Sequence, residues 1–150
     1  MDYDADGLRR VREVADESNF PGRHAGCVLH TYDDEGNERW VAATNMVAVC
    51  EADPLDKKYG VSAQDRPYEW TPHAEPAAIA EAASMGLSTC GATAYLRGSP
   101  CIECAVLLAR AGVDLVVICN DDEFQDDEGW NVNAGIDFLK EWGTNVVREC

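Results

Sequence analysis

Ser99-Pro100-Cys101-Ile102-Glu103-Cys104-Ala105-Val106-Leu107-Leu108-Ala109-Arg110-Ala111-Gly112-Val113-Asp114-Leu115-Val116-Val117-Ile118-Cys119 is the stretch whose reading decides the fold. Cys101 to Ala111 reads as a helix, and Gly112 ends it. Leu115 to Cys119 is a continuous apolar run, suited to a central strand buried on both faces of a sheet. A helix feeding such a strand points to parallel strands joined by helical crossovers in the second half of the chain.

Upstream, Thr93 to Leu96 reads as a short strand turned by Arg97 to Pro100, and Pro76 to Met85 as an alanine-rich helix stopped at Gly86. From Glu51 to Thr71 there is no period, and Pro54, Gly60 and Pro67 interrupt it. A loop of that length is often functional. It carries Lys57, Lys58, Arg66, Tyr59, Tyr68 and Trp70, so we expect it to choose the substrate. Ala25 to Tyr32 and Arg39 to Val49 read as a hairpin around the turn cluster at Asp33 to Asn37. Leu8, Val11, Val14 and Ala15 give an amphipathic first helix over Asp6 to Ser18.

Downstream, an acidic surface loop (Asp121 to Glu128) precedes a helix over Ile136 to Trp142, stopped at Gly143. A last strand follows at Asn145 to Val147. The order α-β-β-α-β-α-β-α-β predicts a mixed sheet layered with helices, in a single domain over residues 1–150.

The chain has 150 residues, 46% of them hydrophobic, which suits a folded globule. Its net charge of −16, from 12 basic and 28 acidic residues, would repel a polyanion, so a long nucleic acid is disfavoured as a partner. No apolar run is long enough to span a membrane, and the acidic N-terminus does not read as a signal peptide. Seven cysteines, an odd number, fit reduced thiols better than a disulfide framework, and a cytoplasmic location is expected.

Four of the chain's reactive side chains fall in two clusters at helix starts: His73 and Glu75, then Cys101 and Cys104. His and Cys are zinc ligands, and a catalytic zinc keeps one of its four positions for water. Three residues apart at a helix start, the two thiols face one way, where the helix dipole favours their anionic form. Glu75, beside a water acidified by the metal, is placed to carry its proton. A Cys-x-x-Cys also occurs in redox motifs and zinc ribbons, but no second pair is present for a ribbon. Glu75 also reads as a solvated first-turn acid. Cys27, Cys50 and Cys90, with His24 or His30, are the candidates for a second, structural zinc.

His73-Ala74-Glu75 with Pro100-Cys101-Ile102-Glu103-Cys104 resembles the paired signature of the zinc-dependent cytidine and deoxycytidylate deaminase superfamily. Cys104-Ala105-Val106-Leu107-Leu108, Ala111-Gly112-Val113, Val116-Val117-Ile118 and Leu139-Lys140-Glu141-Trp142-Gly143 look closest to its deoxycytidylate (dCMP) deaminases. The resemblance implies a three-layer α/β/α sandwich with a mixed five-stranded sheet. It also implies a zinc ion held by His73, Cys101 and Cys104, with Glu75 moving the proton to the ring nitrogen and then to the departing ammonia. Asn45 matches a sugar-contacting asparagine, while Ala74, Ser99, Arg66 and Trp70 are the other expected substrate contacts. A small nucleotide as substrate and a homo-oligomer complete the expectation, with a free nucleoside, a free base such as guanine, or a catalytically silent binding module as alternatives. This chain departs from the family at Ala43-Thr44-Asn45-Met46-Val47-Ala48, Ala77 and Cys119. Those positions bear on the phosphate contacts and the base, not on the metal.

Overall fold

The computed structural model describes residues 3–18, 24–46, 72–119 and 132–149. In chain order these form α1 (Ala5–Ala15), β1 (Gly26–Tyr32), β2 (Glu38–Thr44), α2 (Ala74–Ser84) and β3 (Thr93–Arg97). Then come α3 (Ile102–Arg110), β4 (Leu115–Cys119), α4 (Val132–Trp142) and β5 (Asn145–Glu149). The five strands make one sheet in the order β2-β1-β3-β4-β5. The expected hairpin is present, with β1 antiparallel to β2, and Asp33 closes its turn by accepting the amides of Glu35 and Asn37. β1 is also antiparallel to β3, whereas β3, β4 and β5 run parallel, joined through α3 and through the segment containing α4.

Strand alternation divides the side chains between two layers of core. Cys27, Leu29, Val41, Ala94, Leu96, Val116 and Ile118 point to one face, which α2, α3 and α4 cover. Val28, Tyr95, Leu115, Val117 and Cys119 point to the other and pack under Val11 and Val14 of α1. Every residue of β4 is buried, as its unbroken apolar run requires. The architecture is therefore the expected three-layer sandwich, with three of the described helices on one side and one on the other.

Small residues bring the helices of the crowded face close to the sheet. Ala74, Ala78 and Ala82 recur every four residues along α2, and all are fully buried. Pro76 is tolerated because it sits in the first turn, where a helical N–H has no partner inside the helix. At the other end, the Leu87 amide reaches the Ala82 carbonyl at 2.9 Å and that of Gly86 reaches Ala83 at 3.1 Å, with Gly86 at φ +69°. The same pair of bonds closes α3 at Gly112 and α4 at Gly143. Thr31, near the end of β1, donates to the Ser88 carbonyl just beyond α2. The beginning of α2 therefore lies at the opposite end of the sheet, where β3 and β4 present their carboxyl ends. That is where open α/β sheets place their ligands.

Candidate metal centre

Two helices start at this edge, and each begins on a residue type able to ligate a metal. His73 is the N-cap of α2 with ψ 160°, and its side chain makes no capping bond. Cys101 is the N-cap of α3 with ψ 170°, held by the preceding Pro100, whose side chain is fully buried. Cys104 follows on the first turn of α3 and is 2% exposed. Extended N-cap backbones let His73 and Cys101 turn towards a common point instead of along their own helices.

That point is well defined. His73 Nδ1 lies 3.2 Å from Cys104 Sγ and 3.6 Å from Cys101 Sγ. All three donor atoms lie within 4.8 Å of one another, and among the described residues no other such group of His, Cys, Asp or Glu is found. Zinc bonds of about 2.3 Å to sulfur and 2.0–2.1 Å to nitrogen, at a tetrahedral angle, would put nitrogen and sulfur about 3.6 Å apart. One observed spacing matches and the other is a few tenths of an ångström short, so the donors fit zinc with little adjustment. The second zinc considered for Cys27, Cys90, His24 and His30 gathers no ligands among the described residues, and Cys50 lies outside them.

The acidities of the donors point the same way. Cys101 is drawn down to about 4, first by the hydrogen bond from the Cys104 thiol and then by its bond with His73. Cys104 is pushed up by the same partnership with Cys101 and by burial. This is how two close thiols behave when they share one proton. A divalent cation in the proton's place would hold both as thiolates, and with a neutral imidazole the group would carry no net charge.

Glu75 is 5% exposed, which removes the reading of a solvated first-turn acid. Burial raises its pKa, against the lowering effects of backbone hydrogen bonding and of Cys104. Cys27 of β1 lies within its electrostatic reach, and burial pushes that thiol up, with the Glu75 charge adding to the effect. No sequence pattern marks Cys27 as a neighbour of Glu75, because the two are 48 residues apart, on β1 and α2. Strand alternation alone puts it on the correct face.

Three of the expected substrate contacts, Asn45, Ala74 and Ser99, fall among the described residues. Asn45 is buried, and its Oδ1 accepts from the Ala25 amide at 2.9 Å and from the Ser18 hydroxyl at 3.0 Å. It therefore ties the end of β2 to the start of β1 and to the residues after α1, a structural duty the sequence did not announce. Ala74 packs its methyl group into the core beside Ala78, and Ser99 is half-buried in the turn between β3 and α3. Arg66 and Trp70, with the rest of the expected substrate-choosing loop, lie outside the described residues.

Residues 1–120 match the family model described as the cytidine and deoxycytidylate deaminase zinc-binding region. A deoxycytidylate deaminase of Enterobacteria phage T2 is 41% identical over 68 residues, covering 43% of this chain and 36% of the phage enzyme. That of phage T4 matches equally well, with 35% of its length covered, so the chain spans about a third of these relatives. Among solved structures, the dCMP deaminase of cyanophage S-TIM5 in apo form superposes with a TM-score of 0.65 at 20% identity. The match covers 96% of this chain and 94% of that one, and it shows a shared fold.

Proposed function

The chain belongs to the cytidine and deoxycytidylate deaminase family, and from that membership we propose that it is a zinc-dependent hydrolase acting on a cytosine nucleotide. The substrate is dCMP or a 5-modified dCMP, and the products are the uracil nucleotide and ammonia. One observation carries the reading. A buried carboxylate, Glu75, stands on the helix turn whose N-cap, His73, meets two thiols at 3.2 and 3.6 Å.

His73 Nδ1 and the sulfurs of Cys101 and Cys104 would hold the zinc, which would supply the acidity that makes water a nucleophile near neutral pH. Glu75 manages the protons. Its carboxylate takes one proton from the attacking water and passes it to the ring nitrogen as the oxygen bonds to C4. It then takes the remaining hydroxyl proton and gives it to the amino group, so that the C4–oxygen bond becomes the carbonyl as the bond from C4 to the departing ammonia breaks. Burial strengthens its hold on the proton in transit. Ala74, next to His73, and Ser99, two residues before Cys101, contact the base. Asn45 contacts the sugar, and Arg66 and Trp70 the phosphate and base.

Support for a deoxynucleotide comes from the phage T2 and T4 deoxycytidylate deaminases, and from the S-TIM5 enzyme, crystallised with dCMP and dUMP. The acidic surface, at net charge −16, favours a small substrate over a long nucleic acid and leaves a neutral nucleoside as the second reading. Assembly into a homo-oligomer belongs to the same proposal. Ammonia release across dCMP, CMP, 5-methyl-dCMP, cytidine, deoxycytidine and guanine, with zinc content measured alongside, tests it. Release from a cytosine nucleotide is the expected result. Release only from cytidine or deoxycytidine moves the assignment to nucleosides, and release from none leaves a binding module.

A further inference from the structure

We propose that Gly135 is a positioning residue for the metal centre: the absence of a side chain there lets α4 press against the Pro100 and Cys101 carbonyls and fixes where Cys101 presents its sulfur. The inference rests on His73, Cys101 and Cys104 holding a metal. It goes beyond that reading because α4 lies outside the residues that match the family model.

The contact is between backbones. A Cβ built on Gly135 would stand 2.5 Å from the Pro100 oxygen, 3.1 Å from the Cys101 oxygen and 3.2 Å from the Cys101 carbonyl carbon. Glycine is the residue that permits such an approach. Neither side has room to yield. The Cys101 carbonyl accepts the Ala105 amide at 2.9 Å in the first turn of α3, and Pro100 is fully buried. On the α4 side, Ile136 and Leu139 are in the core, and the helix end is closed by the Thr144 amide on the Leu139 carbonyl at 2.9 Å. A methyl group at 135 must therefore displace either α4 or the Pro100–Cys101 backbone, and the latter carries a ligand whose sulfur is 3.6 Å from His73 Nδ1. The Ala105 bond couples any movement of Cys101 to the turn that also carries Cys104.

The test compares Gly135→Ala with Ile136→Ala, which loosens the same helix without pushing on the carbonyls. Full-length proteins are loaded with zinc and competed with a chelator, and the cobalt(II)-substituted forms are examined for thiolate-to-metal charge-transfer absorption. Gly135→Ala should hold zinc at least tenfold more weakly and show a weakened or shifted thiolate band, while Ile136→Ala melts lower but binds zinc normally. Zinc affinity within twofold of the parent in Gly135→Ala overturns the proposal, because α4 has then moved instead. So does a Gly135→Ala chain that does not fold, which would make the contact a requirement of the fold. If the unsubstituted protein binds neither zinc nor cobalt, the metal assignment itself fails, and this separates the two failures.

Discussion

Gly7 in α1 and Gly135 in α4 both lie inside helices, and each lets its helix approach something a methyl group would strike. What they approach differs. A Cβ on Gly7 would fall 2.3–2.5 Å from the ring of Tyr95, whereas one on Gly135 would meet the backbone of Pro100 and of Cys101, a proposed metal ligand. The first contact belongs to the face closed by α1, built from valines and a buried tyrosine. The second belongs to the face of α2, α3 and α4, where alanines bring α2 and α3 down on the sheet and α4 packs through Ile136 and Leu139. The α1 face packs one helix on the sheet through valines and a tyrosine. The other keeps its leucines and isoleucines on the strands, α3 and α4, and uses alanines along α2, so that two helix starts meet within hydrogen-bonding distance. If that division holds, substitutions on the α1 face should alter stability and spare the metal, while those on the other face should reach the metal or the reaction.

The largest effect is expected from Cys104→Ala. It removes one of three protein ligands from a metal whose binding is worth roughly 10 kcal/mol or more in small zinc sites. Zinc by elemental analysis and ammonia release should both be lost. A fully loaded variant would mean that the sulfur 3.2 Å from His73 Nδ1 is not a ligand. Next comes Glu75→Ala, which should keep its zinc and lose turnover by about 10²–10⁴-fold, the usual range for a positioned proton carrier. Near-normal turnover would leave the buried carboxylate as packing.

These first two predictions concern residues that the sequence exposes, because the signature is short and local. The paired His-x-Glu and Pro-Cys-x-x-Cys each fit within a single helix start, so residue spacing alone carries them. The order of elements was legible for a similar reason, since each announces itself by its own period. What escaped is nonlocal or masked by a local rule. The helix expected from Ile136 begins four residues earlier, at Val132, and takes in Gly135, a residue of low helix propensity. Pro76 reads as the first helical residue, but α2 starts two residues earlier, at Ala74. The place of β1 beside β3 depends on pairing across 60 residues or more, for which no periodicity gives a signal. Asn45 is expected as a substrate contact, and its side-chain oxygen also joins Ala25 and Ser18, a tie between distant segments that no local pattern announces.

Gly7→Ala sharpens the comparison directly. Helix propensity favours alanine, but the methyl group has no space over Tyr95, so overpacking should win and cost about 1–3 kcal/mol. Urea denaturation would show the loss, and chelator competition should show unchanged zinc affinity. Weaker zinc binding in Gly7→Ala would mean that the two faces are mechanically coupled and would dissolve the contrast with Gly135.

The smallest effect is expected from Tyr95→Phe. The Tyr95 hydroxyl accepts the Asp4 amide at 2.8 Å, anchoring the N-cap of α1 to the middle strand of the sheet. Removing it takes one acceptor from a part-buried amide that water can still reach, so the cost should sit near the low end of about 0.5–1.5 kcal/mol. Zinc content and turnover should not change. The substitution also probes the packing above it, because the hydroxyl is carried on the ring carbon nearest the Cβ that Gly7→Ala would add. Once the Asp4 bond is gone, the ring can tilt away from the new methyl group. The double variant should then be less destabilised than the sum of the singles, by about 0.5 kcal/mol or more. Strict additivity would mean that the ring is held by Val11, Val28 and Val117 and not by its hydroxyl, and the tight fit under α1 would then be a property of the apolar packing alone.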